Sequence, residues 1–170
     1  AEIGLVGYPN AGKSTLLGAI SAAQPKIAAY PFTTLHPNIG IVELADYSRL
    51  TVCDIPGIIE GAHDNVGLGH AFLRHILRCR VLVLLIDMAG TDEREPWDDY
   101  GQLLTELELY DPALLKRPRL VAANKMDEAP APEKLKAFRA KLGQVDIVEI
   151  SAAFDLGLEE LKNKMQQIVA

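Results

Sequence analysis

The chain has 170 residues, of which 49% are hydrophobic and 24% charged, and its formal net charge at pH 7 is −6. This length and composition predict one globular domain with a full core. No apolar run approaches the ~20 residues of a membrane span. The negative charge argues against a broad nucleic-acid-binding face, for which a basic patch is expected, whereas a local basic surface or RNA contacts through further domains stay open. Since the sequence starts at Ala1 and enters an apolar run directly, we expect a domain cut from a longer protein.

Apolar runs alternate with amphipathic stretches, which is typical of a mainly parallel sheet with helices on both faces. Six strands are predicted, at residues 3–6, 40–44, 50–54, 81–87, 119–124 and 146–150. The second and third strands would form a hairpin through Asp46-Tyr47-Ser48, so that one strand runs antiparallel. Helices are predicted at 13–23, 69–78, 97–109, 132–142 and 158–168. Cys53 and Cys79 lack metal-ligand spacing and are expected to be buried free thiols.

Residues 7–14 read Gly-Tyr-Pro-Asn-Ala-Gly-Lys-Ser and fit the phosphate-loop pattern G-x-x-x-x-G-K-[ST]. The pattern lies between a predicted strand and a predicted helix, which is the context that this motif requires. Glycines let successive N–H groups point at a phosphate, and the helix start adds its positive dipole end. Lys13 would reach the β- and γ-phosphates, and the Ser14 hydroxyl would bind Mg²⁺. The alternative is a chance glycine-rich turn. The candidate contacts here are Gly7, Tyr8, Pro9, Asn10, Ala11, Gly12, Lys13, Ser14 and Thr15.

Three more polar clusters follow predicted strands, where ligands bind in open α/β sheets. In the first, Asp54-Ile55-Pro56-Gly57, the Asp54 carboxylate would hold Mg²⁺ through water. The Gly57 N–H would approach a γ-phosphate, since no Cβ intervenes. The alternative for this cluster is a strand-end turn.

The other two clusters predict recognition of guanine. Asp127 would accept the N1–H and 2-amino groups of the base, a donor pair that adenine lacks, and a buried carboxylate left unpaired would discriminate by ~10⁴–10⁵. Asn124 would bridge neighbouring loops and contact the base, the Lys125 stem would cover the base face, and the Ala152 N–H would donate to O6. Together these features select GTP over ATP. The candidate residues are Asn124, Lys125, Met126, Asp127, Ser151, Ala152 and Ala153.

The segment at 30–35, Tyr-Pro-Phe-Thr-Thr-Leu, lies where a loop would close over the γ-phosphate. A threonine hydroxyl there would complete the Mg²⁺ shell, whereas simple loop packing explains the Tyr-Pro-Phe part equally well. The candidate nucleotide contacts are Phe32, Thr33, Thr34 and Leu35 in this segment and His36 directly after it, and no chemical role is predicted for His36.

The whole chain resembles the GTPase domain of the Obg family, in the translation-factor-related class of phosphate-loop GTPases. The resemblance is carried by residues 7–14, 30–35, 54–63, 67–69, 78–82 and 110–114. It implies a three-layer Ras-like G domain over residues 1–170, and it selects Thr34 over Thr33. It also implies GTP hydrolysis with Mg²⁺, a role in large ribosomal subunit assembly and in growth or stress control, and guanosine tetraphosphate as a possible ligand. We expect a cytoplasmic monomer, with an organellar location left open. The family's glycine-rich N-terminal domain is not in this sequence.

In this reading Lys13, Thr34 and Gly57 are the catalytic residues. Ile58 stands where Ras-like GTPases have a water-orienting glutamine, so slow intrinsic turnover is predicted. Related GTPases use the asparagine of a Pro-Asn phosphate loop to bind K⁺, and Asn10 either does the same or only stabilises the loop. Two alternatives stay open. One is a nucleotide-sensing, ribosome-binding module with incidental hydrolysis, and the other is an ATPase or nucleotide kinase.

Overall fold

A computed structural model describes residues 2–8, 11–27, 38–54 and 79–169. The four helices in these ranges are α1 (Lys13–Ile20), α2 (Pro96–Tyr110), α3 (Ala131–Leu142) and α4 (Leu158–Val169). The strands are β1 (Ile3–Gly7), β2 (Lys26–Ile27), β3 (Asn38–Glu43), β4 (Arg49–Asp54), β5 (Val81–Asp87), β6 (Arg119–Asn124) and β7 (Ile147–Glu149). In the described part of the chain no helix is long and apolar enough to cross a bilayer.

The strands form one sheet in the order β2-β3-β4-β1-β5-β6-β7. Pairing is parallel from β4 through β7 and antiparallel between β3 and each of its neighbours, β2 and β4. All residues of β1 and β5 are buried, as expected for central strands that helices cover on both sides. The six predicted strands are therefore present, and the two-residue edge strand β2 adds a seventh in the described residues.

Two apolar clusters pack the helices against the two faces of the sheet. One face of the sheet packs against α1 and α4 through side chains that include Leu17 and Leu161. The other face packs against α2 and α3, where the rings of Tyr100 and Phe138 meet edge to face with centroids 5.7 Å apart. This arrangement is the predicted three-layer sandwich, and it brings the carboxyl ends of the parallel strands to one edge.

Local chemistry explains where the predicted boundaries move. The hairpin turn between β3 and β4 is present, with Tyr47 at φ 66° and the Asp46 carboxylate accepting the Ser48 N–H at 3.0 Å. Helix α1 ends at Ile20 rather than at residue 23, because Ser21 adopts an extended backbone. Helix α4 buries Leu158, Leu161 and Met165, the core stripe that its spacing predicts. The predicted helix at 69–78 lies outside the described residues.

Candidate nucleotide-binding site

The predicted site residues lie at the carboxyl edge of the sheet. Strand β1 ends at Gly7, β4 ends at Asp54 and β6 ends at Asn124, while Ser151 follows β7. Parallel strands that end together place their following loops side by side. The structure therefore brings polar groups that are far apart in sequence into one region.

The described part of the phosphate loop turns sharply into α1. The Ala11 N–H donates to the Tyr8 carbonyl at 3.0 Å, and Gly12 adopts the left-handed φ of 95° just before the helix begins at Lys13. A Cβ at Gly12 would lie 2.7 Å from the Asn124 side-chain amide nitrogen. Glycine is required here both by its backbone conformation and by the close approach of Asn124.

Lys13 forms an ion pair with Asp54 across the site. The Lys13 Nζ lies 2.8 Å from Asp54 Oδ1, and the two side chains are only 12% and 11% exposed. Ser14 is exposed on the first turn of α1. The Asp54 carboxylate and the Ser14 hydroxyl are hard oxygen donors and fit Mg²⁺, which binds one or two protein oxygens together with phosphates and water. Such a site needs no larger cluster, and the described residues hold no group of three or more His, Cys, Asp or Glu side chains around a metal position.

Asn124 joins the phosphate loop to the loop after β7. Its side-chain amide donates to the Ala11 carbonyl at 2.7 Å, and its Oδ1 accepts the Ala152 N–H at 3.0 Å. Asn124 is 3% exposed, so each of these hydrogen bonds satisfies a group that water cannot reach. The expected bridge between loops is present, and contact with a base stays a prediction.

Next to this bridge lies a cavity of about 190 Å³. It is lined by Gly12, Thr15, Asn124, Lys125, Asp127, Glu128, Ser151, Ala153 and Phe154. The Ser151 hydroxyl donates to Asp127 Oδ1 at 2.5 Å, which fixes the carboxylate at the cavity mouth. Asp127 lies on the loop after β6 and is exposed. Its burial beneath a bound base stays a prediction.

Lys125 is held in place by a second ion pair. Its backbone has φ 64°, and its Nζ lies 3.1 Å from Asp87 Oδ2 and 3.2 Å from the Thr91 hydroxyl. Asp87 is 2% exposed and its other oxygen accepts the Ala89 N–H at 2.9 Å. With its ammonium anchored, the Lys125 stem lines the cavity, in the position expected for covering a base.

Asp87 and Phe154 belong to this region although no motif marks them. Asp87 follows six apolar residues and ends β5. A carboxylate at the carboxyl end of a predicted buried strand is a pattern from which the sequence alone could have indicated a site residue. Phe154 is an aromatic residue just beyond Ser151-Ala152-Ala153, and only the folded loop places it at the cavity.

Three predicted contact residues make other contacts in the structure, and their contact with a nucleotide stays a prediction. Met126 packs against the apolar cluster beneath α2 and α3 instead of lining the cavity. The Tyr8 ring carries the Arg94 guanidinium 3.8 Å from its centroid and packs on the same cluster, so that only its backbone serves the loop. The Ala152 N–H, expected to donate to guanine O6, is directed instead to Asn124, because that buried amide needs the donor.

The remaining predicted contacts lie outside the described residues. These are Pro9, Asn10, Phe32, Thr33, Thr34, Leu35, His36, Ile55, Pro56 and Gly57. They include two of the three predicted catalytic residues, Thr34 and Gly57, and the candidate K⁺ ligand Asn10.

Burial raises the pKa of two groups beside the site. The pKa of the Cys53 thiol, next to Asp54, rises to about 12, chiefly because burial disfavours the thiolate. Burial also raises the pKa of the Tyr8 hydroxyl; the Asp99 carboxylate adds to this rise and Arg94 opposes it. Both groups therefore stay protonated near neutral pH, and neither is a nucleophile or a base.

A glycine-containing loop between a central parallel strand and a helix, with polar loops from β6 and β7 beside it, defines a phosphate-loop nucleotide-binding domain. A protein-family model described as 50S ribosome-binding GTPase matches residues 2–125. The chain belongs to that family.

Curated relatives agree with this assignment. The GTPase Obg of Akkermansia muciniphila is 57% identical over 169 residues, which cover 99% of this chain and 48% of the relative. The GTPase Obg of Opitutus terrae is 56% identical over 169 residues, covering 97% of this chain and 49% of the relative. The chain spans about half the length of these curated relatives. 

Two solved structures share the fold at low sequence identity. The G domain of the T. maritima FeoB iron transporter has a TM-score of 0.69 at 23% identity, covering 99% of this chain and 98% of that one. A GDP-bound mutant of S. thermophilus NFeoB has a TM-score of 0.71 at 22% identity, covering 99% and 62%. At this identity the likeness concerns the fold alone.

Proposed function

We propose that residues 1–170 form a single G domain that hydrolyses GTP with Mg²⁺ and acts as a molecular switch. The observation that carries the proposal is the Asn124 bridge, which fixes the phosphate loop beside a cavity whose mouth presents Asp127. A phosphate loop alone would serve any nucleoside triphosphate. The adjoining carboxylate supplies the selection for guanine.

At the base end, Asp127 would accept the two neighbouring donors of guanine. Ser151 occupies one lone pair of Asp127 Oδ1, and the remaining lone pairs of the carboxylate are enough for a bidentate contact. A base seated in the cavity would shield Asp127 from water, so the discrimination against adenine would develop on binding. With Ala152 directed to Asn124, a guanine O6 would have to share this N–H or use the N–H of Ala153.

At the phosphate end, the Lys13–Asp54 pair would separate as each side chain finds a new partner. The phosphates would attract Lys13, and Asp54 would hold Mg²⁺ through water, with Ser14 and Thr34 as the direct protein ligands. When bound, the metal neutralises charge on the phosphates and orients them. Lys13 would keep the phosphates in place, while the Gly57 N–H would contact the γ-phosphate.

Turnover by this domain alone would be slow, because Ile58 can neither orient water nor stabilise charge. Acceleration would come from a partner, or from K⁺ held by Asn10 near the developing charge. Turnover in K⁺ and Na⁺ at equal ionic strength tests the cation, and equal rates contradict it.

The family description, 50S ribosome-binding GTPase, supports a ribosomal partner. We propose a role in large-subunit assembly and growth control, in the cytoplasm, with guanosine tetraphosphate as a further ligand. Single-turnover hydrolysis with and without large ribosomal subunits distinguishes a switch from a sensing module. Stimulation supports the switch, whereas subunit binding without a change in rate supports the sensor.

Substitution at Asp127 tests the guanine assignment. For D127N we expect GDP affinity to fall at least about a hundredfold and affinity for xanthosine diphosphate to rise, because an amide donor pairs with the 2-oxo group. D98N is the matched control, since it makes the same change at an exposed residue of α2 that does not line the cavity; it should leave both affinities unchanged. Calorimetry with Mg²⁺ measures them. Unchanged preference in D127N, or no binding of GDP or GTP to the folded wild type, would overturn the proposal.

A further inference from the structure

Phe154 is a large apolar side chain that lines the cavity beside Asp127. Its side chain is 64% exposed, yet it is one of the residues that line the cavity together with Lys125 and Asp127. A single exposed phenylalanine needs no explanation by itself. Its position beside a proposed purine site does suggest one.

The backbone of this loop is tightly constrained, so the point from which the Phe154 side chain leaves the loop is defined. Ser151 and Leu156 exchange two backbone hydrogen bonds of 3.0 and 3.1 Å, and the Phe154 N–H donates to the Ser151 carbonyl at 3.1 Å. Asp155 closes the turn with φ 56°. At Gly157, with φ 74°, a Cβ would collide with the Glu149 carbonyl oxygen. The loop therefore holds the backbone of Phe154 beside the cavity.

We propose that Phe154 is a base-stacking residue, whose ring packs against a face of the purine that Asp127 recognises at its edge. This inference rests on the proposed function, because it needs a base in the cavity. An aromatic ring and a purine both lose water-exposed apolar surface when they stack, and such contacts are insensitive to the identity of the base. Phe154 would thus contribute affinity, and Asp127 selectivity.

The chain provides a matched control on the same loop. Leu156 is 55% exposed and does not line the cavity. If the exposed apolar residues of this loop instead bind a protein partner, both side chains would matter to that partner and neither to the nucleotide. Comparing the two truncations therefore separates stacking from docking.

For F154A we expect the Kd of GDP to rise about tenfold, the range of base–aromatic stacking, with the same factor for inosine diphosphate, which lacks the 2-amino group. L156A should leave both constants unchanged. Thermal unfolding of each variant checks that the fold is intact. An unchanged Kd in F154A, or equal losses in F154A and L156A, overturns the inference.

A fluorescent variant gives a second readout that a merely structural role would not move. In F154W, GDP should quench the new tryptophan by stacking, beyond any change that wild type shows from its single tryptophan, Trp97. Equal responses in F154W and wild type would contradict stacking. Failure of the wild type to bind GDP would overturn the proposed function itself. Normal GDP binding that does not change when Phe154 is substituted would overturn only this inference.

Discussion

The two ends of the candidate site position their polar groups by different forces. At the base end, a hydroxyl holds Asp127 and backbone groups hold Asn124, while the ion pair between Lys125 and Asp87 anchors a side chain that lines the cavity. At the phosphate end, Lys13 and Asp54 hold each other by opposite charge. Neutral hydrogen bonds leave the Asp127 charge free for a ligand, whereas the Lys13–Asp54 ion pair occupies both charges. Binding at the phosphate end must therefore supply a replacement for each of them.

The largest effect should follow from removing the bridge between the two ends. N124A would leave the Ala11 carbonyl and the Ala152 N–H without partners in a buried place, at about 1–3 kcal/mol each. We expect nucleotide affinity to fall at least about a hundredfold, because both loops lose their common support. N163A, at an exposed asparagine on α4, is the control and should match wild type. Denaturant unfolding and calorimetry measure the two effects, and intact affinity in N124A would mean that the loops are held independently.

Next in size is the coupling between Lys13 and Asp54. K13A leaves a largely buried carboxylate without its cation, and we expect about 1–3 kcal/mol lower stability, less than for a fully buried pair. A double-mutant cycle with D54N should give a coupling energy of about 0.5–3 kcal/mol without nucleotide. The coupling should shrink with GDP and Mg²⁺, because each side chain then has another partner. Coupling that persists unchanged would show that the ion pair survives binding.

A smaller effect is expected from the Asp87–Lys125 pair. D87N removes the charge that anchors the Lys125 ammonium, and we expect GDP to dissociate about tenfold faster because the stem is no longer held along the cavity. D98N removes the same charge at an exposed position at the start of α2, and GDP should dissociate from this variant at the wild-type rate. Displacement of a fluorescent GDP analogue measures the rates. Similar rates in both variants would assign Lys125 a role that does not depend on its anchor.

The smallest effect concerns the two thiols. Burial raises the pKa of Cys53 to about 12 and also raises that of Cys79, so the native state keeps protons that the unfolded state releases. Stability should therefore be complete below the ordinary thiol pKa of about 8.5 and decline as pH rises towards 12. A thiol reagent at pH 8 should react with neither cysteine until denaturant is added. Rapid reaction in the native protein would show that strand β4 or the start of β5 opens locally.

Much of the fold could be predicted because apolar runs report burial directly. Strand β5 has its predicted bounds, since its residues are buried on both faces and polar residues follow it. Strand β2 could not be predicted, because two residues carry no periodicity and pair only once β3 is beside them.

The candidate site could be predicted where backbone chemistry restricts the residue type, as at Gly12 and Asn124. It could not be predicted where a side chain acts through position alone. Met126 lies within a recognised motif, yet its side chain faces the core. Phe154 has no spacing rule that links it to the cavity, so only the folded turn shows the relation.

Gly12 has a consequence for how substitutions in this domain would spread. A methyl group there would clash with the Asn124 amide and push it away from the start of α1. The damage would not stay with the phosphates, because the displaced amide would release the loop after β7 as well. A single added carbon at position 12 should therefore impair recognition of the purine and of the phosphates together.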